Sequence, residues 1–138
     1  MPSGGYTYFL QEVGEAGLDW SADDVRLQLV DDDTYTVNLA TDQFLSDVPA
    51  PARIGAATAL ANKTNVGGVY DADDVTVPTV TGRVSGYVIY IHTGTPATSL
   101  LIMHEDCAGN VPISPVAKDV VIHFDNGDRK IFRFRSAS

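Results

Sequence analysis

The apolar residues at the start of the chain recur at the spacing of a helix. Positions i, i+3, i+4 and i+7 form one apolar stripe on such a helix. Here these positions are Tyr6, Phe9, Leu10 and Val13. Gly17 follows the stripe, where glycine commonly ends a helix in a left-handed conformation. The pattern predicts one short N-terminal helix over about residues 6–16, held in place by packing of its stripe.

From residue 25 the period changes to two. Residues 25–30 alternate apolar and polar side chains, which is the pattern of a half-buried strand. The alternation predicts that Arg26 and Gln28 face water and that the residues beside them face the core. The core-facing residues are then Val25, Leu27 and Leu29. The acidic run at residues 31–33 ends the strand, because short polar side chains of like charge favour a loop.

Strand patterns dominate the second half of the chain. Segments rich in β-branched and aromatic residues alternate there with turn-forming Gly, Pro and Asn. The predicted strands are 75–80, 83–92, 99–105, 119–124 and 129–135. Residues 52–62 are rich in alanine, which suits a helix, but Gly55 and the short apolar spacing favour strand and irregular structure, and we prefer the second interpretation.

Many short strands separated by turns predict a mainly β fold. We expect a jelly-roll-like β-sandwich or barrel with the short N-terminal helix on one side. Its length of 138 residues is that of one domain, so residues 1–138 should form a single β domain with strands from about residue 24 to about residue 135.

The last two predicted strands form a hairpin around Asn126 and Gly127. With Gly127 in the left-handed region of a three-residue turn, Val120 pairs with Phe132, and the large apolar residues share one face. The opposite face then carries a basic strip that a partner could contact. Its arginines are Arg129, Arg133 and Arg135.

Composition places the chain among ordered globular proteins. Hydrophobic residues make up 44% and charged residues 20%, whereas a disordered chain would be poorer in aliphatic and aromatic side chains. The residues after Met1 do not show the basic and apolar regions of a secretory signal, and the apolar runs are too short for a membrane span, so we expect neither feature. Cys107 is the only cysteine, so we expect no disulfide within the chain and an inert thiol.

The net charge of −9 is concentrated near the N-terminus. The first 50 residues contain ten acids and only one base, Arg26, whereas the remaining residues contain eight of each sign. Such an acidic segment repels phosphate, so we expect no nucleic-acid binding. It provides either a solubilising surface or a face for a basic partner.

The candidate metal ligands do not form a recognised pattern. Asp71, Asp73 and Asp74 cluster, but the cluster lacks the ligand spacing of a calcium loop, and a turn entering a strand explains it better. Residues 104–107 place histidine, acids and cysteine side by side, yet neighbouring strand residues point to opposite faces. We therefore expect neither a metal site nor a cofactor.

Catalysis is not expected either. His92, His104 and His123 occur near strands but in no nucleophile or acid–base pattern. A hydrolase using Asp73 and Asp74 is disfavoured, because adjacent residues of an alternating strand point apart.

The order of several segments resembles a family of small virion structural proteins of tailed phages. A helix ending at Gly17-Leu18-Asp19 precedes the strand 24–30, and the segment Phe44-Leu45-Ser46-Asp47-Val48-Pro49 follows. The later segments of the resemblance are 59–64, 69–76, 88–95 with 97–102, and 124–127 with 131–132. The resemblance covers most of the chain and departs from the family in the Ala-rich stretch 51–62.

Within this family the chain is most similar to the jelly-roll cement or decoration proteins of the phage head. The resemblance implies a protein that is made in the bacterial host cytoplasm, binds the major capsid protein outside the head, and assembles as a dimer or trimer. Phe44, Leu45, Val48 and Pro49 are the candidate apolar anchor of that contact, with ordinary core packing as the alternative for Phe44 and Leu45.

A tail or fibre adhesin that binds host glycan is the alternative function. Trp20 and the six tyrosines are residue types that stack on sugars, although they are not clustered in the sequence.

Overall fold

The fold is mainly β, as the sequence predicts. The computed structural model describes residues 4–6, 20, 23–31, 33–66, 69–105, 113–122, 124 and 132–133. The strands are β1 (Gly4–Gly5), β2 (Val25–Val30), β3 (Arg53–Ala59), β4 (Thr64–Val66), β5 (Val69–Asp71), β6 (Val75–Val80), β7 (Gly86–Ile91), β8 (Leu101–Glu105), β9 (Lys118–Ile122) and β10 (Phe132–Arg133). Short 3-10 turns lie at Leu45–Asp47, Ala50–Ala52 and Pro96–Thr98.

These strands form three antiparallel sheets. The largest has the order β1-β8-β7-β2-β3, and the smaller ones have the orders β10-β5-β4 and β6-β9. Strands distant in sequence are paired in register, with Leu27 opposite Ile89 and Ile89 opposite Met103. The arrangement is consistent with a β-sandwich.

Both faces of the central strands are buried. Residues directly opposite each other in a ladder share a face, so Leu27, Ile89 and Met103 lie on one face, whereas Val88 and His104 lie on the other. All five side chains are buried. The half-buried strand predicted at residues 25–30 is therefore covered on two sides.

The prediction that Gln28 faces water is wrong. Its side chain is only 5% exposed, and its amide donates to the carbonyl oxygens of Ile54 (2.9 Å) and Gly55 (3.2 Å) on β3. The ladder between β2 and β3 is irregular there, between Leu27 and Leu29, and Gly55 has a φ of +73°. Such a bulge leaves carbonyl groups without ladder partners, and the buried amide supplies the donors.

Different segments cover the two faces of the central sheet. On the face of His104, the long connection between β2 and β3 packs through Tyr35, whose ring meets the His104 ring edge-on at 6.4 Å. On the opposite face, Phe124 contacts Tyr87 edge-on at 6.3 Å, and β6 packs beside β3. The connection between β2 and β3 thus forms a layer of the core.

Several predicted elements can be compared with the structure. The strands predicted at 75–80, 83–92, 99–105 and 119–124 correspond to β6, β7, β8 and β9, and the strand preferred within 52–62 is β3. Tyr6, the first residue of the predicted helix, instead continues the pairing of β1 with β8 by donating its N–H to the Ile102 carbonyl (3.0 Å). Residues 7–16, the rest of that predicted helix, lie outside the described residues.

The predicted pairing of Val120 with Phe132 is wrong. Phe132 pairs with Tyr70 of β5, and Val120 pairs with Val77 of β6. The buried residues of β6 and β9 alternate in phase, which makes β6 a suitable partner although it is distant in sequence. The predicted turn itself, at residues 125–127, lies outside the described part of the chain.

Candidate partner-binding surface

The structure separates the predicted apolar anchor into buried and exposed residues. Leu45 and Val48 are buried in the core, and Phe44 is half-buried and packs against it. Pro49 is exposed, as are Ala50 and Pro51. The surface of this segment is therefore provided by Pro49 and its neighbours, together with the accessible part of Phe44.

The segment is fixed to the core although it contains only 3-10 turns. The Asp47 carboxylate accepts hydrogen bonds from the backbone N–H groups of Gln43 (2.8 Å) and Phe44 (3.0 Å). The Leu45 N–H donates to the Ser99 carbonyl (2.8 Å), which ties the turn to the entrance of β8. On the other side of the exposed residues, the Ala52 carbonyl accepts a hydrogen bond from the Asp31 N–H (3.0 Å), so the backbone is bonded to the core both before and after them.

A second aspartate fixes the preceding turn. One oxygen of Asp42 accepts hydrogen bonds from the Asn38 N–H (3.1 Å) and from the Tyr35 hydroxyl (2.7 Å). The Asn38 side chain in turn accepts from the backbone N–H of Thr41 (3.2 Å). These are local side-chain-to-backbone bonds of the kind that Asp and Asn form in turns.

Two buried tyrosines connect this turn to the N-terminal strand. The Tyr6 and Tyr35 hydroxyls are 2.8 Å apart. Because Tyr35 donates to the Asp42 carboxylate, its oxygen is left to accept the hydroxyl proton of Tyr6. Burial raises the pKa of both phenols above the ordinary range. The arrangement keeps both groups neutral, and it joins the end of β1 to the connection between β2 and β3.

Other aspartates also bind groups of their own chain. Asp31 forms an ion pair with Arg83 (2.5 Å), and Asp24 forms one with Arg26 (3.0 Å), whose hydrogen-bonded guanidinium holds the pKa of Asp24 below its usual range. Asp119 accepts from the Thr79 N–H (3.1 Å). The acidic residues therefore fix loops in addition to giving the surface its charge.

The acidic cluster at residues 71–74 is distributed among separate partners. The Asp73 carboxylate accepts from the Asn62 side chain, whereas Asp74 accepts from the Phe124 N–H (2.9 Å). Among the residues that the structure describes, no three His, Cys, Asp or Glu side chains gather as a metal site would require. The expectation that the chain binds no metal stays a prediction.

The candidate catalytic histidines are placed apart. His104 is buried beside Tyr35, and the His92 ring lies 6.2 Å from the ring of Tyr90 at another position of the sheet. His123 and Cys107 are outside the described residues.

Within the described ranges no helix has the length and hydropathy needed to cross a membrane.

The aromatic residues proposed for glycan stacking belong to the core wherever their side chains are described. The buried rings are those of Tyr6, Trp20, Tyr35, Tyr87 and Tyr90. Because each ring is covered by its own chain, none of these five offers a face on which a sugar can stack.

The basic strip is described only in part. Arg133 lies in β10, and Arg129 and Arg135 lie outside the described residues. Its role as a partner surface stays a prediction.

Sequence reasoning placed Val121 on the outer face of its strand, beside the basic strip, but did not single out the exposed apolar residues Ile113 and Val116. Ile113, Val116 and Val121 are 38%, 71% and 45% exposed. The signal was available for Val121, because it follows Val120 directly in an alternating strand and one of the two must face outward.

The protein is thus mainly β, with antiparallel sheets. Hydrogen bonds to Asp42 and Asp47 fix two turns of the connection between β2 and β3. No protein-family model matches the chain, and no curated protein matches it significantly.

Proposed function

We propose that the chain is a cement or decoration protein of a tailed-phage head, which binds the outer capsid surface and stabilises contacts between major capsid subunits. The observation that carries the proposal is the exposed surface around Pro49, which directly follows a turn whose first backbone N–H groups bond to Asp47. The resemblance of the ordered segments supports the same function. It further implies that the partner is the major capsid protein and that the chain forms a homo-oligomer.

The physical chemistry of this surface suits such a task. A preorganised loop loses little conformational entropy when it binds, so its contact free energy is retained. Many copies on one lattice stabilise the shell by mass action, and this requires no chemical step. The acidic N-terminal part of the chain favours a capsid surface that is basic at the contact.

Fractionation of phage particles tests the proposed location. Heads and tails of the phage that encodes the chain would be separated on a density gradient, and the chain would be detected in each fraction with an antibody. We expect it in the head fraction, and cryo-electron microscopy of those heads should contain a matching β-rich density outside the shell. Detection only in tails would instead support the tail or fibre alternative.

Replacement of Pro49 by lysine tests the proposed contact. Pro49→Lys removes an exposed apolar group and adds a charge that a basic capsid surface repels, so binding to heads lacking the protein should weaken by about tenfold or more. Co-sedimentation with those heads measures the affinity. Ala56→Lys, at an exposed position of β3, is the matched control and should bind like the unmodified chain. Equal loss in both variants would contradict a contact at Pro49.

A further inference from the structure

The first strand of the sheet is attached through few groups. β1 lies at an edge of the five-stranded sheet, and its two residues, Gly4 and Gly5, pair with His104 and Met103 of β8. Glycine has no side chain to pack, and it loses more conformational entropy on ordering than any other residue. The residue that follows, Tyr6, is 0% exposed. Within residues 4–6, Tyr6 therefore provides the side chain that holds β1 on the sheet.

The Tyr6 hydroxyl begins a chain of hydrogen bonds that leaves β1. It donates to the Tyr35 oxygen (2.8 Å), and the Tyr35 hydroxyl donates to the Asp42 carboxylate (2.7 Å). The same carboxylate oxygen accepts the backbone N–H of Asn38 (3.1 Å). We call residues 38–42 the Asp42 turn. Three hydrogen bonds thus connect the N-terminal strand to the backbone of this turn, which is distant in the sequence.

Electrostatics places the Tyr6 hydroxyl beside the same connection. Burial is the main cause of its raised pKa, and the negative charges of Asp42 and Asp47 contribute to it. These are the two carboxylates that fix turns between β2 and β3. A neutral hydroxyl that donates toward these acceptors is favoured there.

The three bonds depend on one another. In a hydrogen-bond chain each bond polarises the next and strengthens it. Tyr35 is only 3% exposed, so its oxygen would lose a donor at a buried position if Tyr6 left the sheet. Docking of Tyr6 therefore favours the bond from Tyr35 to Asp42. Because such a coupling is reciprocal, an intact Asp42 turn favours the docking of β1 by the same factor.

We propose that β1 and the Asp42 turn form one cooperative unit, which docks on the central sheet and leaves it as a whole through the hydroxyl chain of Tyr6 and Tyr35. Opening of this unit uncovers the outer edge of β8 and loosens the backbone that precedes residues 43–49. The coupling is a property of the chain by itself, so it does not rest on the proposed contact with the head.

Hydrogen exchange of single backbone N–H groups, followed by nuclear magnetic resonance near pH 7, tests the coupling in one direction. Asp42→Ala removes the end of the chain, and the reporter is the Tyr6 N–H, which donates to the Ile102 carbonyl (3.0 Å). We expect this N–H to exchange about three- to tenfold faster, because β1 then opens more often. Asp33→Ala removes an exposed aspartate of the same connection and is the matched control, with no expected change at Tyr6.

The opposite direction uses the Tyr6 hydroxyl and the Asn38 N–H as reporter. Tyr6→Phe removes the hydroxyl but keeps the ring, so the Asn38 N–H should exchange about three- to tenfold faster. Tyr90→Phe removes the hydroxyl of another buried tyrosine, on β7, and should leave the Asn38 rate unchanged. Tyr35→Phe breaks the chain at its middle and should accelerate both reporters, and Tyr6→Phe should then add little to it.

The Val88 N–H of the central strand β7 separates local opening from general unfolding. Under the proposal its exchange changes less than that of the reporters in every variant. Acceleration by the same factor at Val88 would mean loss of global stability and would overturn a local unit. An unchanged Tyr6 N–H in Asp42→Ala would also overturn the proposal, as would an unchanged Asn38 N–H in Tyr6→Phe. None of these results bears on binding to heads, so the proposed function is tested separately.

Discussion

At the scale of single residues, aspartates act chiefly as acceptors for backbone N–H groups. Asp47 accepts from two residues at the start of its own turn, and Asp42 accepts from one backbone N–H and one phenol. A charged acceptor strengthens each such bond compared with a neutral one. The acidic composition of the first 50 residues is thus partly explained by the need to fix a long connection whose described residues contain 3-10 turns and no strand.

Replacement of Asp47 by alanine should loosen this connection. The backbone N–H groups of Gln43 and Phe44 lose their acceptor, so we expect a loss of about 1–2 kcal/mol in the free energy of unfolding. Urea unfolding followed by circular dichroism measures it. Asp33→Ala removes an exposed carboxylate of the same connection and is the matched control, with an expected change within about 0.5 kcal/mol. Equal losses in the two variants would contradict the proposed role of Asp47.

The buried tyrosine pair predicts a loss of stability in alkali. An unfolded tyrosine ionises near pH 10, whereas Tyr6 and Tyr35 have raised pKa values in the folded chain and stay protonated. The unfolded state therefore binds fewer protons above about pH 10, and the free energy of unfolding falls as the pH rises beyond that value. Below it, the contribution of the pair is complete.

Tyr6→Phe tests this pH dependence. The variant has one group fewer that ionises only on unfolding, so its free energy of unfolding should fall less steeply between about pH 9 and pH 11 than that of the unmodified chain. Urea unfolding at a series of pH values gives the two slopes. Identical slopes would mean that Tyr6 is accessible to solvent in the folded protein.

At the scale of elements, strand periodicity located the strands, but it did not show which strands pair or which side chains are buried. The segments that became β6 to β9 were located from β-branched residues and turn formers, which are local signals. The burial of Gln28 could not be read in this way, because it depends on a bulge in β3, a strand distant in sequence. The partner of β10 was missed for the same reason, since a hairpin pattern contains no information about β5.

The candidate surface was also predicted only in part: the sequence located the segment but did not show which of its residues are exposed. Residues 44–49 were recognised as an unusual apolar segment, but alternation gave no means of separating the buried Leu45 and Val48 from the exposed Pro49. Their separation is produced by a 3-10 turn, which has a different period from a strand.

Replacement of Gln28 by leucine tests the role of the bulge. The carbonyl groups of Ile54 and Gly55 lose their amide donor while the side chain keeps a similar size, so the free energy of unfolding should fall by about 1–3 kcal/mol. Arg26→Leu, two residues earlier on the same face of β2, is the control and should change the stability by at most about 1 kcal/mol, because its ion pair is exposed to solvent. Equal stability of Gln28→Leu and the unmodified chain would contradict the role of the amide.

At the scale of the whole molecule, the central strands β2, β7 and β8 are covered on both faces. One face meets the connection between β2 and β3, and the other meets the layer that contains Phe124. The described surface available to partners therefore consists of loops, outer strand faces and the residues around Pro49, and the last of these is the region on which the proposed function depends.

The packing of the central strands on both faces also indicates which positions of the chain are free to vary. Strands β2, β7 and β8 must satisfy packing on two sides at once, so most substitutions there would disturb two layers together. The connecting segments carry no such double requirement, provided that the aspartates anchoring them are kept. In related chains, adaptation to a different binding partner would consequently change the connections, while the central strands would vary less.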